Sequence, residues 1–222
     1  MNFRKNKQEV PAMIVIGLTG PTGAGKSTVR ELFASYGVPG IDADAVYHEL
    51  ISPPSACLDE LTRIFGKSIL LPDGTLDRKT LGKKVFSNEQ ARAMLNAVSH
   101  RHVMEEIRRR IAEWKKKGVA AAVLDAPQLF EAGAEKDCTA VVAVLANRNA
   151  RFSRVSARDG LSKEEILARM DAQLQEDFFR SNADYVLENN SSPEDLIPSV
   201  ENILKSLQIP FTPRTNQSTE IL

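Results

Sequence analysis

Cysteine is scarce in this chain. There are two, Cys57 and Cys138, and neither stands in a metal-ligand spacing. At 222 residues that argues against a disulfide-stapled scaffold and fits a reduced, cytoplasmic setting. Charge is not in excess either. Lys plus Arg and Asp plus Glu both number 29, a formal net charge of zero. This argues against broad electrostatic binding to nucleic acid or to an anionic membrane. No apolar run approaches the roughly 18 residues needed to span a bilayer. Met1 to Pro11 has no apolar core of a signal peptide and reads as a disordered extension over residues 1–12. The N-K-x-D guanine motif of switch GTPases is absent, and so is any internal repeat.

What is present reads as one α/β domain over residues 13–208. Met13 to Leu18, Val38 to Ile41, Val119 to Leu124, Thr139 to Ala146 and Ala183 to Glu188 are short apolar runs. Runs without polar alternation suit buried parallel strands, here five strands with helices on both faces. Val29, Leu32, Phe33 and Tyr36 trace a helical stripe, and Gly37 stands where it would end. Residues 46–117 read as a helical insertion broken at Pro53-Pro54 and at Asp73-Gly74. Within it Met94, Leu95, Val98, His102, Ile107, Ile111 and Trp114 follow one stripe. Residues 150–180 suggest a lid, with Ser162 and Glu165 as a capping box for a helix reaching Phe178. A last helix covers Pro193 to Leu207, and residues 209–222 read as a loose tail.

The chemistry concentrates after the first strand. Gly20 to Ser27 match G-x-x-x-x-G-K-[ST] in full, between a strand and a helix. Glycines let backbone N–H groups close on phosphate oxygens, so Gly23, Ala24, Gly25, Lys26, Ser27 and Thr28 are the expected nucleotide contacts. Lys26 would reach the β- and γ-phosphates of ATP, and the Ser27 hydroxyl would ligate Mg²⁺. Asp42 and Asp44 follow the second strand, which is expected to border the P-loop strand. A carboxylate there would accept the proton of an attacking hydroxyl, with Asp44 the first choice. Either aspartate could instead cap the helix starting near Ala45. Asp125 ends the third strand, where it would hold Mg²⁺ or simply form a turn. Of six arginines between Arg148 and Arg180, Arg158 before the Asp159-Gly160 turn is the expected phosphate contact. His48, His100 and His102 read as structural. Arg108–Arg110 and Lys115–Lys117, interleaved with Glu105, Glu106 and Glu113, read as a solvated face.

Together these residues resemble the dephospho-CoA kinase family. The resemblance runs from about Met13 to Leu207. It is carried by the phosphate loop, by Ile41-Asp42-Ala43-Asp44, and by Asp73-Gly74-Thr75-Leu76-Asp77-Arg78. Asp125-Ala126-Pro127, Leu129-Phe130-Glu131, Arg158-Asp159-Gly160 and Gln173 complete it. Gly40, Gln128 and Arg101 depart from its usual residues. The resemblance implies a P-loop NTPase three-layer sandwich with a helical CoA domain and a lid. It implies Asp44 as base, Arg158 as lid arginine and Asn189 near the adenine. The implied reaction phosphorylates the ribose 3′-hydroxyl of dephospho-CoA with ATP and Mg²⁺. Another P-loop kinase, acting on shikimate or gluconate, and a non-catalytic nucleotide-binding regulator stand as the alternatives. The oligomeric state is left open.

Overall fold

The apolar runs form five parallel strands in the computed structural model, which describes residues 13–213 apart from residue 87. β1 is Ile14–Thr19, β2 Gly40–Asp42, β3 Ala121–Asp125, β4 Ala140–Leu145 and β5 Tyr185–Glu188, in the order β2-β3-β1-β4-β5. Strand side chains alternate between faces. On one face Ile16, Leu18, Val142 and Val144 pack against Phe33, Val200 and Leu204. These last three belong to α1 (Lys26–Ser35) and α9 (Ile197–Ser206). On the other face Val15, Ile41, Leu124 and Val141 meet Val46, Val103 and Ile107 from α2 (Ala43–Leu50) and α5 (Glu89–Lys116). The expected three-layer sandwich is therefore observed.

The sheet order corrects one expectation. The second strand does not border the P-loop strand, because β3 lies between them. Asp125 is the register partner of Leu18 on one side and of Asp42 on the other. It is thus Asp125 that ends the strand beside β1. Asp44 is not on a strand at all but in the first turn of α2.

The helical insertion spans α2 to α5 and includes α3 (Ala56–Phe65) and α4 (Arg78–Phe86). It has its own small core of Ile51, Cys57, Leu61, Ile69, Leu81 and Val98. The Asp73-Gly74 turn closes a single antiparallel bridge, Leu70 with Leu76. The 28 residues of α5 extend about 42 Å at 1.5 Å per residue. Its first half completes the insertion core through Val98, and its second half covers the sheet through Val103 and Ile107. Met94, expected on that stripe, points outward and is 54% exposed.

The region expected as a lid comprises α6 (Arg148–Asp159), α7 (Lys163–Asp171) and α8 (Glu176–Asn182). The Ser162–Glu165 capping box opens α7. The single helix expected as far as Phe178 breaks after Asp171, where Gln173 reaches the phosphate loop. The last helix is also divided. Pro193–Leu196 is a 3₁₀ turn, and Pro198 stands in the first turn of α9, where its missing N–H costs nothing. The described part of the expected loose tail is packed instead. Ile209 is buried, and Phe211 meets Tyr36 edge-on with ring centroids 5.5 Å apart. The expected extension over residues 1–12 and the tail beyond residue 213 lie outside the described residues. Among the described residues no helix is long and apolar enough to cross a membrane.

Candidate active site

β1 feeds the phosphate loop, and α1 starts at Lys26 with no side chain capping its first turn. Its N–H groups therefore remain open to an anion. Gly25 precedes the helix at φ 95°, a left-handed conformation that favours glycine. A Cβ there would also stand 2.1 Å from Asn189 Nδ2.

The loop forms one wall of a cleft of about 1040 Å³. Of the residues expected at the site, Gly23, Gly25, Lys26, Ser27, Thr28, Asp44, Asp125, Arg158 and Asn189 line it. Ala24 does not. It is buried, its N–H bonds Pro21 O, and its carbonyl accepts from Asn189 Nδ2 at 2.8 Å. Asn189 thus spends its amide on the back of the loop. A second, smaller cavity of about 230 Å³ lies under α5, between Tyr47, Val103, Met104, Ile107 and Leu124. Asp44, Pro127 and Gln128 line both spaces.

Lys26 and the three aspartates of the cleft, Asp42, Asp44 and Asp125, differ in environment. The Lys26 ammonium lies 3.4 Å from Gly20 O. Burial lowers its pKa, while Asp125 and Asp44 act in the opposite direction. Burial pushes the Asp125 carboxyl up to about 6, against the opposing pull of Lys26 and Arg30. One of its oxygens, Oδ1, is buried without a hydrogen-bond partner. Asp42 has both oxygens engaged. Oδ1 caps α2 by accepting from Ala45 N at 3.0 Å, and Oδ2 accepts from Arg30 Nη1 at 2.6 Å. Burial opposes ionisation of Asp42, but those hydrogen bonds outweigh it and hold its carboxyl below the ordinary value. Asp44 is exposed on the cleft wall and makes no side-chain hydrogen bond among the described residues. So the two aspartates separate into a cap, Asp42, and a free carboxylate, Asp44.

Several supporting groups were not legible as such. Arg151 Nε donates to Thr22 O at 3.0 Å, and Gln173 Oε1 accepts from Thr22 N at 2.9 Å. Arg154 reaches Gly23 O, Ala24 O and Asn189 O at 3.3, 3.4 and 3.0 Å. Arg151, Arg154 and Arg158 are spaced three and four apart, so one face of α6 looks at the loop. That spacing was the available signal. Arg158 itself is 62% exposed and paired with Asp159. The arginines therefore divide by role. Arg154→Ala should cost about 1–3 kcal/mol of stability, since it strips donors from loop carbonyls. Arg158→Ala should leave the melting temperature unchanged and lower kcat. Thermal melts beside steady-state kinetics check this; a reversed pattern would exchange the two roles.

Of the three histidines, His100 lines the second cavity and the other two have side-chain partners. His48 Nδ1 contacts Arg78, and His102 Nε2 contacts Glu60. Arg109 and Arg110 are tied to Glu106 and Glu113 along α5 and to Glu49 of α2, so the charge of these two arginines is neutralised locally. Both cysteines are free thiols.

Comparison with known proteins places this geometry. The family model described as dephospho-CoA kinase matches residues 14–195. The dephospho-CoA kinase of Anaeromyxobacter dehalogenans is 41% identical over 88% of this chain and 93% of its own length. Among solved structures, TT1252 from Thermus thermophilus superposes with a TM-score of 0.76 at 37% identity. That match covers 88% of this chain and 98% of the other. The dephospho-CoA kinase from Campylobacter jejuni follows at a TM-score of 0.64 and 26% identity, covering 87% and 96%. With a phosphate loop, an aspartate between two cavities and a match across nearly the whole domain, this chain belongs to the dephospho-CoA kinase family.

Proposed function

We propose that this chain transfers the γ-phosphoryl group of ATP to the ribose 3′-hydroxyl of dephospho-CoA, releasing coenzyme A and ADP. The observation that carries the reading is the position of Asp44 on the wall common to the polar cleft and the apolar cavity. A phosphoryl donor in the first and an acceptor in the second would meet there. The phosphate loop and Lys26 bind and orient the donor phosphates. Asp44, with a free carboxylate, accepts the hydroxyl proton as the oxygen attacks phosphorus and the bond to the ADP oxygen breaks. Lys26 and Arg158 stabilise charge on the transferring group.

The donor set fits Mg²⁺. Ser27 Oγ and the unpartnered Asp125 Oδ1 are hard oxygen ligands, and Mg²⁺ takes few protein ligands besides phosphate oxygens and water. Bound with ATP, Mg²⁺ supplies neutralising charge at the phosphates. A cytoplasmic location accords with the two free thiols.

ADP release measured against a panel of acceptors tests the assignment. Dephospho-CoA should support turnover, whereas shikimate and gluconate should not. ADP release that ignores the acceptor would support the regulator reading instead.

A further inference from the structure

We infer that Arg30 is a positioning residue for the metal-side carboxylate, and that Gly40 is a glycine to make room for it. Asp42 and Asp125 are register partners at the ends of β2 and β3, so two carboxylates stand side by side. Like charges so placed repel and would splay apart. One nitrogen, Arg30 Nη1, lies 2.6 Å from Asp42 Oδ2 and 3.4 Å from Asp125 Oδ2. It holds the pair together by attraction to both. With Oδ2 held, the other oxygen of Asp125 is left without a partner in the cleft lining. That is the oxygen assigned above to Mg²⁺.

The sequence pattern supports a purpose-built arrangement. Arg30 is one helical turn beyond Lys26, so both cations project from the same face of α1. Its stem runs across β2. A Cβ on Gly40 would lie 2.9 Å from both Cγ and Cδ of Arg30. Gly40 lies within the β2 strand and its φ is outside the left-handed region, so its backbone would accept a side chain. It is the arginine stem that leaves no room for one. Gly40 was also a departure from the family pattern, and its partner Arg30 explains it. Because Asp42 Oδ1 caps α2, the same guanidinium ties Asp125 to the helix that carries Asp44.

The inference rests on Asp125 as the metal ligand, and the test keeps the two apart. Mn²⁺ binding in the presence of ADP is titrated by electron paramagnetic resonance for the parent, Asp125→Asn, Arg30→Met, Arg30→Lys and Gly40→Val, with melting curves alongside. Asp125→Asn should weaken Mn²⁺ binding. Arg30→Met should weaken it about tenfold or more, the usual effect of losing a group that orients a ligand. Arg30→Lys should recover part of the loss. Gly40→Val should reproduce the loss without removing any charge, and combined with Arg30→Met it should add nothing further. A purely structural Arg30 would lower the melting temperature and leave Mn²⁺ affinity alone. That outcome, with Asp125→Asn still impaired, would overturn the role of Arg30. Unchanged affinity in Asp125→Asn would overturn the metal assignment beneath it.

Discussion

Lys26→Ala is expected to lower kcat by about 10²-fold or more while the fold survives. Lys26 opens α1 and its ammonium is half-buried in the cleft, near Gly20 O. Such a group is worth more there than in water, because few waters screen it. It is also attracted by Asp125 and Asp44, which oppose the lowering of its pKa by burial. The charge it would neutralise grows as the bond between phosphorus and the ADP oxygen lengthens. The loss should therefore fall on kcat as well as on ATP affinity. The fold should persist, since the loop is also held by Arg151, Arg154, Gln173 and Asn189. Steady-state kinetics with a circular dichroism melt decide it. A nearly normal kcat would mean that the loop does not handle the transferring phosphate.

Asp44→Asn is expected to reduce kcat by about 10²–10⁴-fold with ATP binding retained. Asn keeps the size and can still orient a hydroxyl, but it cannot take the proton. If the transition state is strongly dissociative, proton removal contributes less and the drop falls at the lower end. Asp42→Asn is the control, and the structure sharpens it. Asn is as good a helix N-cap as Asp, so α2 should keep its start, while the charge paired with Arg30 is lost. A smaller kinetic effect with some loss of stability is therefore expected at position 42. Should Asp42→Asn be the more damaging in kcat, with both variants folded and binding ATP, the base is misassigned.

Local pattern carried much of this. The phosphate loop was legible because its residues are contiguous and its backbone geometry needs glycines at set positions. The parallel strands were legible because burial on both faces leaves no polar alternation. The capping box at Ser162 was equally local. Strand order was not legible: β3 follows β2 by some eighty residues, and nothing in either run states that it inserts beside β1. The division of Asp42 from Asp44 turned on a single cap and on Arg30, which comes from another element. Arg154 outranks Arg158 as a brace of the loop because of where α6 docks, which the spacing alone did not reveal. Ile209 and Phe211 were missed because two apolar residues in a polar stretch have no period to betray them.

The most direct test of the account is the product itself. Purified protein is incubated with ATP, Mg²⁺ and dephospho-CoA, and the acceptor is recovered for mass spectrometry and phosphorus NMR. The account predicts a gain of one phosphoryl group, present as a monoester on the ribose 3′-oxygen and matched by an equal amount of ADP. Unmodified dephospho-CoA from an enzyme that binds ATP, or a phosphoryl group on any other oxygen, would contradict it.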